Sequence, residues 1–238
     1  MTGPAFYART GTRAGDIVAL LHPPYTAWHL AYVAMGAGLA PSIDWQVLVG
    51  TLLAFFFGTG IAAHALDELT GRPLRTQLSD ATLRVLGYGG LIAAVAVAVV
   101  GSFRLSNWLL VWAGAGVLLA AGYALERPTW LHTRLGFALA WGGFPVLVGY
   151  WAQTQNMTPA AVAMATAATL LSIAQRDLST PARHVRRKVE TAELVAIRDG
   201  TEERWERARL LSTWERPLHT LSWAMVALAV GLLLAKAE

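Results

Sequence analysis

The chain of 238 residues contains no cysteine. That absence excludes disulfides, thiolate metal sites and cysteine nucleophiles, and it says nothing of compartment. Charge is scarce too: Asp, Glu, Lys and Arg make up 14% of the residues against 55% hydrophobic, and the mean hydropathy is +0.44. A composition so apolar excludes an ordinary soluble domain and points to a membrane protein. Arginine outnumbers lysine heavily, a bias we ascribe to base composition rather than to function. No secretory signal stands out, since residues 17–21 are too short an apolar core and no small-residue cleavage site follows. No internal repeat is evident and charges within the apolar runs are few, which argues against a transporter. The net charge of +4 and the pI near 9.8 do not imply a nucleic-acid partner, because basic residues in such a chain first sort by side of the bilayer.

What the chain does have is apolar runs. Those at 25–39, 45–66, 86–103, 108–125, 135–152, 158–174 and 218–235 read as spanning helices. The expected fold is therefore all-α, a polytopic bundle of about seven transmembrane helices forming a single membrane domain over 1–238. Residues 1–23 form a cytoplasmic or interfacial lead-in, 24–174 six spans, 175–216 a cytoplasmic helical segment and 217–238 the last span. Within 178–216 two surface helices are predicted. Thr180 before Pro181 starts the first, Asp199-Gly200 breaks it, and Glu202 to Arg216 forms the second. Arg183, Arg186, Arg187 and Lys188 suit anionic lipid headgroups, and equally suit an ordinary basic loop. Arg9, Arg13, Arg72, Arg75, Arg84, Arg127, Arg134 and this cluster fall on one side, with Arg104 and Lys236 on the other. The bias predicts that the N-terminus lies in the cytoplasm and the C-terminus outside, and the expected setting is a multi-pass protein of a bacterial or archaeal plasma membrane.

One stretch, 58–76, stands apart, because there an apolar run ends abruptly in His64, Asp67, Glu68, Arg72 and Arg75. On a helix His64 shares a face with Asp67 and Glu68, three and four residues on, and that face can hold a cation. The arginines offer forked donors suited to phosphate oxygens. Exclusion of charge from lipid bunches residues at helix ends in the same way, so a plain helix end remains the alternative. A second polar exit, Gln175-Arg176-Asp177, falls on the same predicted side. Two acidic exits followed by arginines can bind a diphosphate through magnesium, which takes one or two carboxylates together with phosphate oxygens. An apolar tunnel would shield an allylic cation from water. Tyr25, Trp28, Trp141 and Tyr150 can face such a cation, although interfacial belts collect the same residue types. His29 reads as a packed histidine or as the lining of a polar cavity.

The order of features across residues 20–180 resembles the UbiA superfamily of intramembrane prenyltransferases. The features are a proline lead-in, an acidic motif leaving the second span, a turn from Tyr123 to Arg127, a Pro145-to-Gly149 pattern in the fifth span and an acidic exit from the sixth. In that family an Asn-x-x-x-Asp-x-x-x-Asp motif and an Asp-x-x-x-Asp motif bind magnesium and a prenyl diphosphate on the cytoplasmic side. Asp67 matches the middle aspartate, with Ala63 in place of Asn and Gly71 in place of the last Asp. Asp177 matches the first aspartate of the second motif, and Pro181 stands where its partner would be. The family typically has nine spans where seven are expected here.

The resemblance implies a UbiA-like bundle that moves an isoprenyl group from a prenyl diphosphate to an aromatic or lipid acceptor among membrane lipids. It implies Mg2+ held by Asp67, Glu68 and Asp177, a substrate held by Arg72, Arg75, Tyr123 and Arg127, and catalysis by Asp67, Asp177 and His64. Whether His64 is a ligand or takes the acceptor's proton stays open at this point. The alternative is a non-catalytic isoprenoid-binding or scaffolding protein with the same bundle.

Overall fold

The computed structural model describes residues 5, 7, 11–124 and 127–237. Arg9, counted above in the charge bias, and Glu126, in the fourth-to-fifth loop, lie outside these described residues. The first half of the chain runs α1 (Arg13–Leu20), α2 (Pro23–Gly38), α3 (Trp45–Phe55), a π-helical stretch Phe56–Ala63, α4 (His64–Gly71), α5 (Asp80–Ser102) and α6 (Trp108–Ala124). A short 3-10 turn then leads to α7 (Arg134–Ala138), a second π-helical stretch Leu139–Gly143, and α8 (Phe144–Thr154). The rest is α9 (Pro159–Lys188), a hairpin of β1 (Glu193–Arg198) and β2 (Thr201–Glu206), and α10 (Arg207–Leu234).

The fold is an all-α helical bundle apart from that hairpin. Four of its rods, Trp45–Gly71, Asp80–Ser102, Arg134–Thr154 and Arg207–Leu234, are long and apolar enough to cross a membrane, and Trp108–Ala124 is a shorter apolar helix. Their starts are set locally. Asp44 accepts from the amides of Gln46 and Val47 at the head of α3, Ser79 accepts from Thr82 N at the head of α5, and Thr158 caps α9 ahead of Pro159. Val85, Ile92, Val100, Phe103, Leu118 and Trp223 are exposed on the outer faces, an apolar exterior suited to lipid rather than water.

Helix α2 lies at the centre of the packing. Its Trp28, Tyr32 and Met35 join Val146 of α8, Ala165 and Ala168 of α9, and Met225 and Ala229 of α10 in one buried cluster. Against α8 the two backbones nearly touch: a Cβ on Gly36 would stand 2.1 Å from the Val146 carbonyl oxygen, and one on Gly149 would stand 2.2 Å from that of Val33. Glycine on both partners is what permits this approach. On the opposite flank Asp16, buried in α1, accepts from the amide of Gln77 at 2.9 Å, which ties the lead-in to the loop after α4.

Two expectations for 178–216 are overturned. Helix α9 does not stop at Asp177 but continues through Pro181 to Lys188. Proline costs the helix one hydrogen bond there, while Ser179 and Thr180 turn their hydroxyls onto the Arg176 carbonyl at 3.3 and 2.8 Å and Ala182 is buried on the next turn. A β-hairpin takes the end of the first predicted surface helix (193–198) and the start of the second (201–206), while 207–216 is helical and runs on without a break into the last span as part of α10. Asp199 and Gly200, both at positive φ (51° and 78°), join Arg198 to Thr201 across a two-residue turn. Asp-Gly is the preferred pair for that tight turn, a stronger signal for a hairpin than for a helix break.

Candidate functional site

Two cavities adjoin inside the bundle. The larger is an apolar chamber of about 540 Å³ walled by α3, α5, α6 and α8, with Ala54, Leu91, Ala98, Trp112, Gly116 and Phe144 on its walls. The smaller is a polar pocket of about 150 Å³ that gathers His22, His64, Asp67, Tyr123, Arg183 and Arg187. Thr59 and Trp141 line both. Thr59 belongs to the first π-helical stretch and Trp141 to the second. The wider π turn shifts the phase of the side chains that follow it, and such segments recur at functional sites. Here they place the two residues at which the chamber and the pocket meet.

His64 opens α4 directly after the first π stretch, and its Nδ1 lies 3.1 Å from the Gly60 carbonyl oxygen. A carbonyl oxygen only accepts, so in the neutral ring Nδ1 donates the proton and Nε2 keeps its lone pair. The His22 ring lies against it with centroids 4.3 Å apart, and His22 Nδ1 pairs with the Tyr7 hydroxyl. Burial, followed by the neighbouring His64, Arg187, Arg183 and His29, holds the His22 pKa well below its ordinary value. His22 is thus a neutral partner at pH 7. Burial is also the main cause that raises the Tyr7 hydroxyl pKa, so the phenol keeps its proton. Asp67 stands one turn beyond His64 on the pocket wall. His29 lines the same pocket, its Nδ1 buried without a hydrogen-bond partner among the described residues and its ring 5.6 Å from that of Trp141.

Of the residues singled out in the sequence, the structure brings His64, Asp67 and Tyr123 together. Tyr123 stacks on His132 at 4.4 Å and meets Trp141 edge-on at 5.3 Å. Tyr25, His29 and Trp141 line the same pocket, whereas Glu68, Asp177, Arg72, Arg75 and Arg127 do not. Glu68 is fully buried and faces the following loop, accepting from the amides of Leu74 and Thr76 at 2.8 Å each and from the Thr76 hydroxyl at 2.9 Å. Its carboxylate fastens that loop and has no reach to the pocket. Asp177 is half-exposed outside the pocket in a two-point pair with Arg134, whose Nε donates at 2.9 Å. Arg72 spends its guanidinium on Asp80 and on the carbonyls of Thr76 and Leu78. Arg75 and Arg127 are exposed and do not line the pocket.

The magnesium site implied by the resemblance does not fit these positions. No group of three His, Asp or Glu able to hold a metal ion exists among the described residues. The acids on the pocket wall are Asp67 and Glu215, and Glu215 forms a two-point ion pair with Arg186, at 2.6 Å from Nη2. Proximity on one helix face put Glu68 beside Asp67 in the sequence, but its side chain turns a quarter of the way round the helix into the loop.

What the sequence reading missed is the inner face of α9. Gln175, Ser179, Arg183 and Arg187 recur at four-residue spacing and all line the pocket. The spacing was visible in the sequence. Ending the helix at Asp177 hid it, because a new helix begun at Pro181 carries no fixed phase with the old one. Burial first, then the like charge of Arg183, holds the Arg187 pKa below its ordinary value.

No family model, no curated protein and no solved structure matches this chain.

Proposed function

We propose that the chain is an intramembrane prenyltransferase of UbiA-like design, which takes an isoprenyl diphosphate and passes its isoprenyl group to a lipophilic acceptor. The observation that carries this reading is the junction of the apolar chamber with the polar pocket at Thr59 and Trp141. An amphiphile with a long apolar tail and a compact anionic head matches that shape: the tail fills the chamber and the head meets Arg183 and Arg187. Its first carbon then lies near Trp141, between the head and the tail, and close to His64.

In the transfer step the bond between that carbon and the bridging diphosphate oxygen breaks, and its electron pair leaves with the diphosphate. The acceptor's nucleophilic atom bonds to the carbon and gives up its proton to His64 Nε2. The guanidinium groups of α9 offset the charge that develops on the departing diphosphate. The faces of Trp141 and Tyr123 and the carboxylate of Asp67 stabilise positive charge on the allylic carbon. The apolar chamber keeps water from that carbon. The arginine bias supports a pocket on the cytoplasmic side of a plasma membrane.

The test is detergent-purified protein supplied with radiolabelled geranylgeranyl diphosphate and a lipid extract as acceptor source. Transfer predicts label in a new lipophilic product and one diphosphate released per product, both lost in His64→Ala. A second reading, a non-catalytic isoprenoid-binding protein, is favoured by one observation, the lack of a three-acid metal cluster among the described residues. Saturable binding of the diphosphate without release, across extracts of varied origin, selects that reading. Absence of both binding and release contradicts both.

A further inference from the structure

Resting on the reading that the pocket receives an isoprenyl diphosphate, we propose that Arg183 and Arg187 hold the diphosphate directly and that binding needs no divalent metal. The carboxylates that a bridging ion would use are committed elsewhere: Glu68 to the amides of Leu74 and Thr76, Asp177 to Arg134, Glu215 to Arg186. Asp67 lines the pocket together with Arg183 and Arg187. A divalent cation placed there would meet one acid and two guanidinium groups, whose like charge repels it.

The charged end of the row along α9 favours an anion. Gln175 and Ser179 carry neutral polar groups, and Arg183 and Arg187, farther along the helix, carry positive charge. Like charges four residues apart on one helix destabilise it, and here both arginines press on the same groups, the Tyr7 hydroxyl and the His22 ring. A multiply charged diphosphate relieves that repulsion. Guanidinium is also the side chain best matched to it, since its planar fork gives two parallel hydrogen bonds to adjacent phosphate oxygens. The ion pair of Arg186 with Glu215, mostly buried, fixes α9 against α10 and so holds the row in place.

The test measures binding of geranylgeranyl diphosphate to the full-length protein in detergent, with EDTA or with magnesium. Geranylgeraniol, inorganic diphosphate and phosphatidic acid serve as comparison ligands. Equal affinity in EDTA and magnesium is expected, with a weakening of roughly tenfold to a hundredfold in Arg183→Gln and in Arg187→Gln. No change is expected in Arg84→Gln, whose side chain is exposed on α5. Binding that requires magnesium overturns this inference and leaves the proposed transferase standing. Binding of geranylgeraniol as tight as that of its diphosphate overturns the arginine contact, and equal binding of phosphatidic acid overturns the diphosphate assignment. No binding of any prenyl diphosphate, in protein shown to be folded, removes the functional reading as well. If the glutamine variants fail to fold, the EDTA and geranylgeraniol comparisons on the wild type still decide the matter.

Discussion

His64 Nδ1 donates to the Gly60 carbonyl across 3.1 Å, one turn back in the π-helical stretch that joins α3 to α4. That bond fixes which ring nitrogen bears the proton and leaves Nε2 available as a base. His64→Ala is therefore expected to lower transfer by about 10²- to 10⁴-fold, the usual worth of a positioned acid–base group. Donor affinity should change little. Single-turnover rates beside equilibrium binding separate the two effects, and a loss of affinity equal to the loss of rate would assign His64 to binding instead.

Glu68 supports the loop rather than the chemistry. Glu68→Ala leaves two buried amides and a hydroxyl without their acceptor, and removing a charged acceptor so placed costs about 3 kcal/mol or more. Thermal unfolding should show this loss with no dependence on magnesium. A variant as stable as the wild type yet inactive would return Glu68 to the site.

The contact between α2 and α8 has no room for a side chain at Gly36 or Gly149. Each glycine-to-alanine change is expected to lower stability by about 1–3 kcal/mol, the range for overpacking. The double variant should lose less than the sum, because a single shift of the two helices relieves both clashes. Melting curves of the three variants check this, and strict additivity would mean that the two contacts relax independently.

Stability should depend on pH through His22. Its pKa is depressed in the folded protein, so as pH falls below the ordinary histidine value near 6.5 the unfolded chain binds a proton that the folded chain does not. Stability is then full above that value and is lost as pH falls toward the folded pKa, at no more than about 1.4 kcal/mol per pH unit for one proton. Among the described residues the groups facing this ring are Tyr7, Tyr25, His29, His64, Arg183 and Arg187. His22→Gln should flatten the slope between pH 6.5 and 5, and an unchanged slope would place the effect on another group.

Most of the helical rods were legible in the sequence because apolar runs bounded by prolines and charges mark them, but α9 and α10 extend past the predicted limits. His64 and Asp67 were legible for a related reason: a three-residue step on one helix sets them on a common face. Glu68, one residue further, shares that face in projection, but its longer side chain found two backbone donors in a loop whose course no periodicity reports. The row on α9 was lost to a single proline read as a helix start. Asp199-Gly200 was read as a break where its preference for a hairpin turn should have prevailed. The π-helical stretches, which set the junction at Thr59 and Trp141, leave no mark that residue spacing detects.

The central claim is that one amphiphile occupies both cavities, and tail length tests it most directly. Melting temperature is measured with geranyl, farnesyl and geranylgeranyl diphosphates at equal concentration, for the wild type and for Ala113→Phe, which fills part of the chamber. Each further isoprene unit buries more apolar surface, so stabilisation should rise with length in the wild type. In Ala113→Phe it should stop rising early, while the shortest donor binds as before. A response independent of tail length, or an identical length series in the variant, would contradict the account.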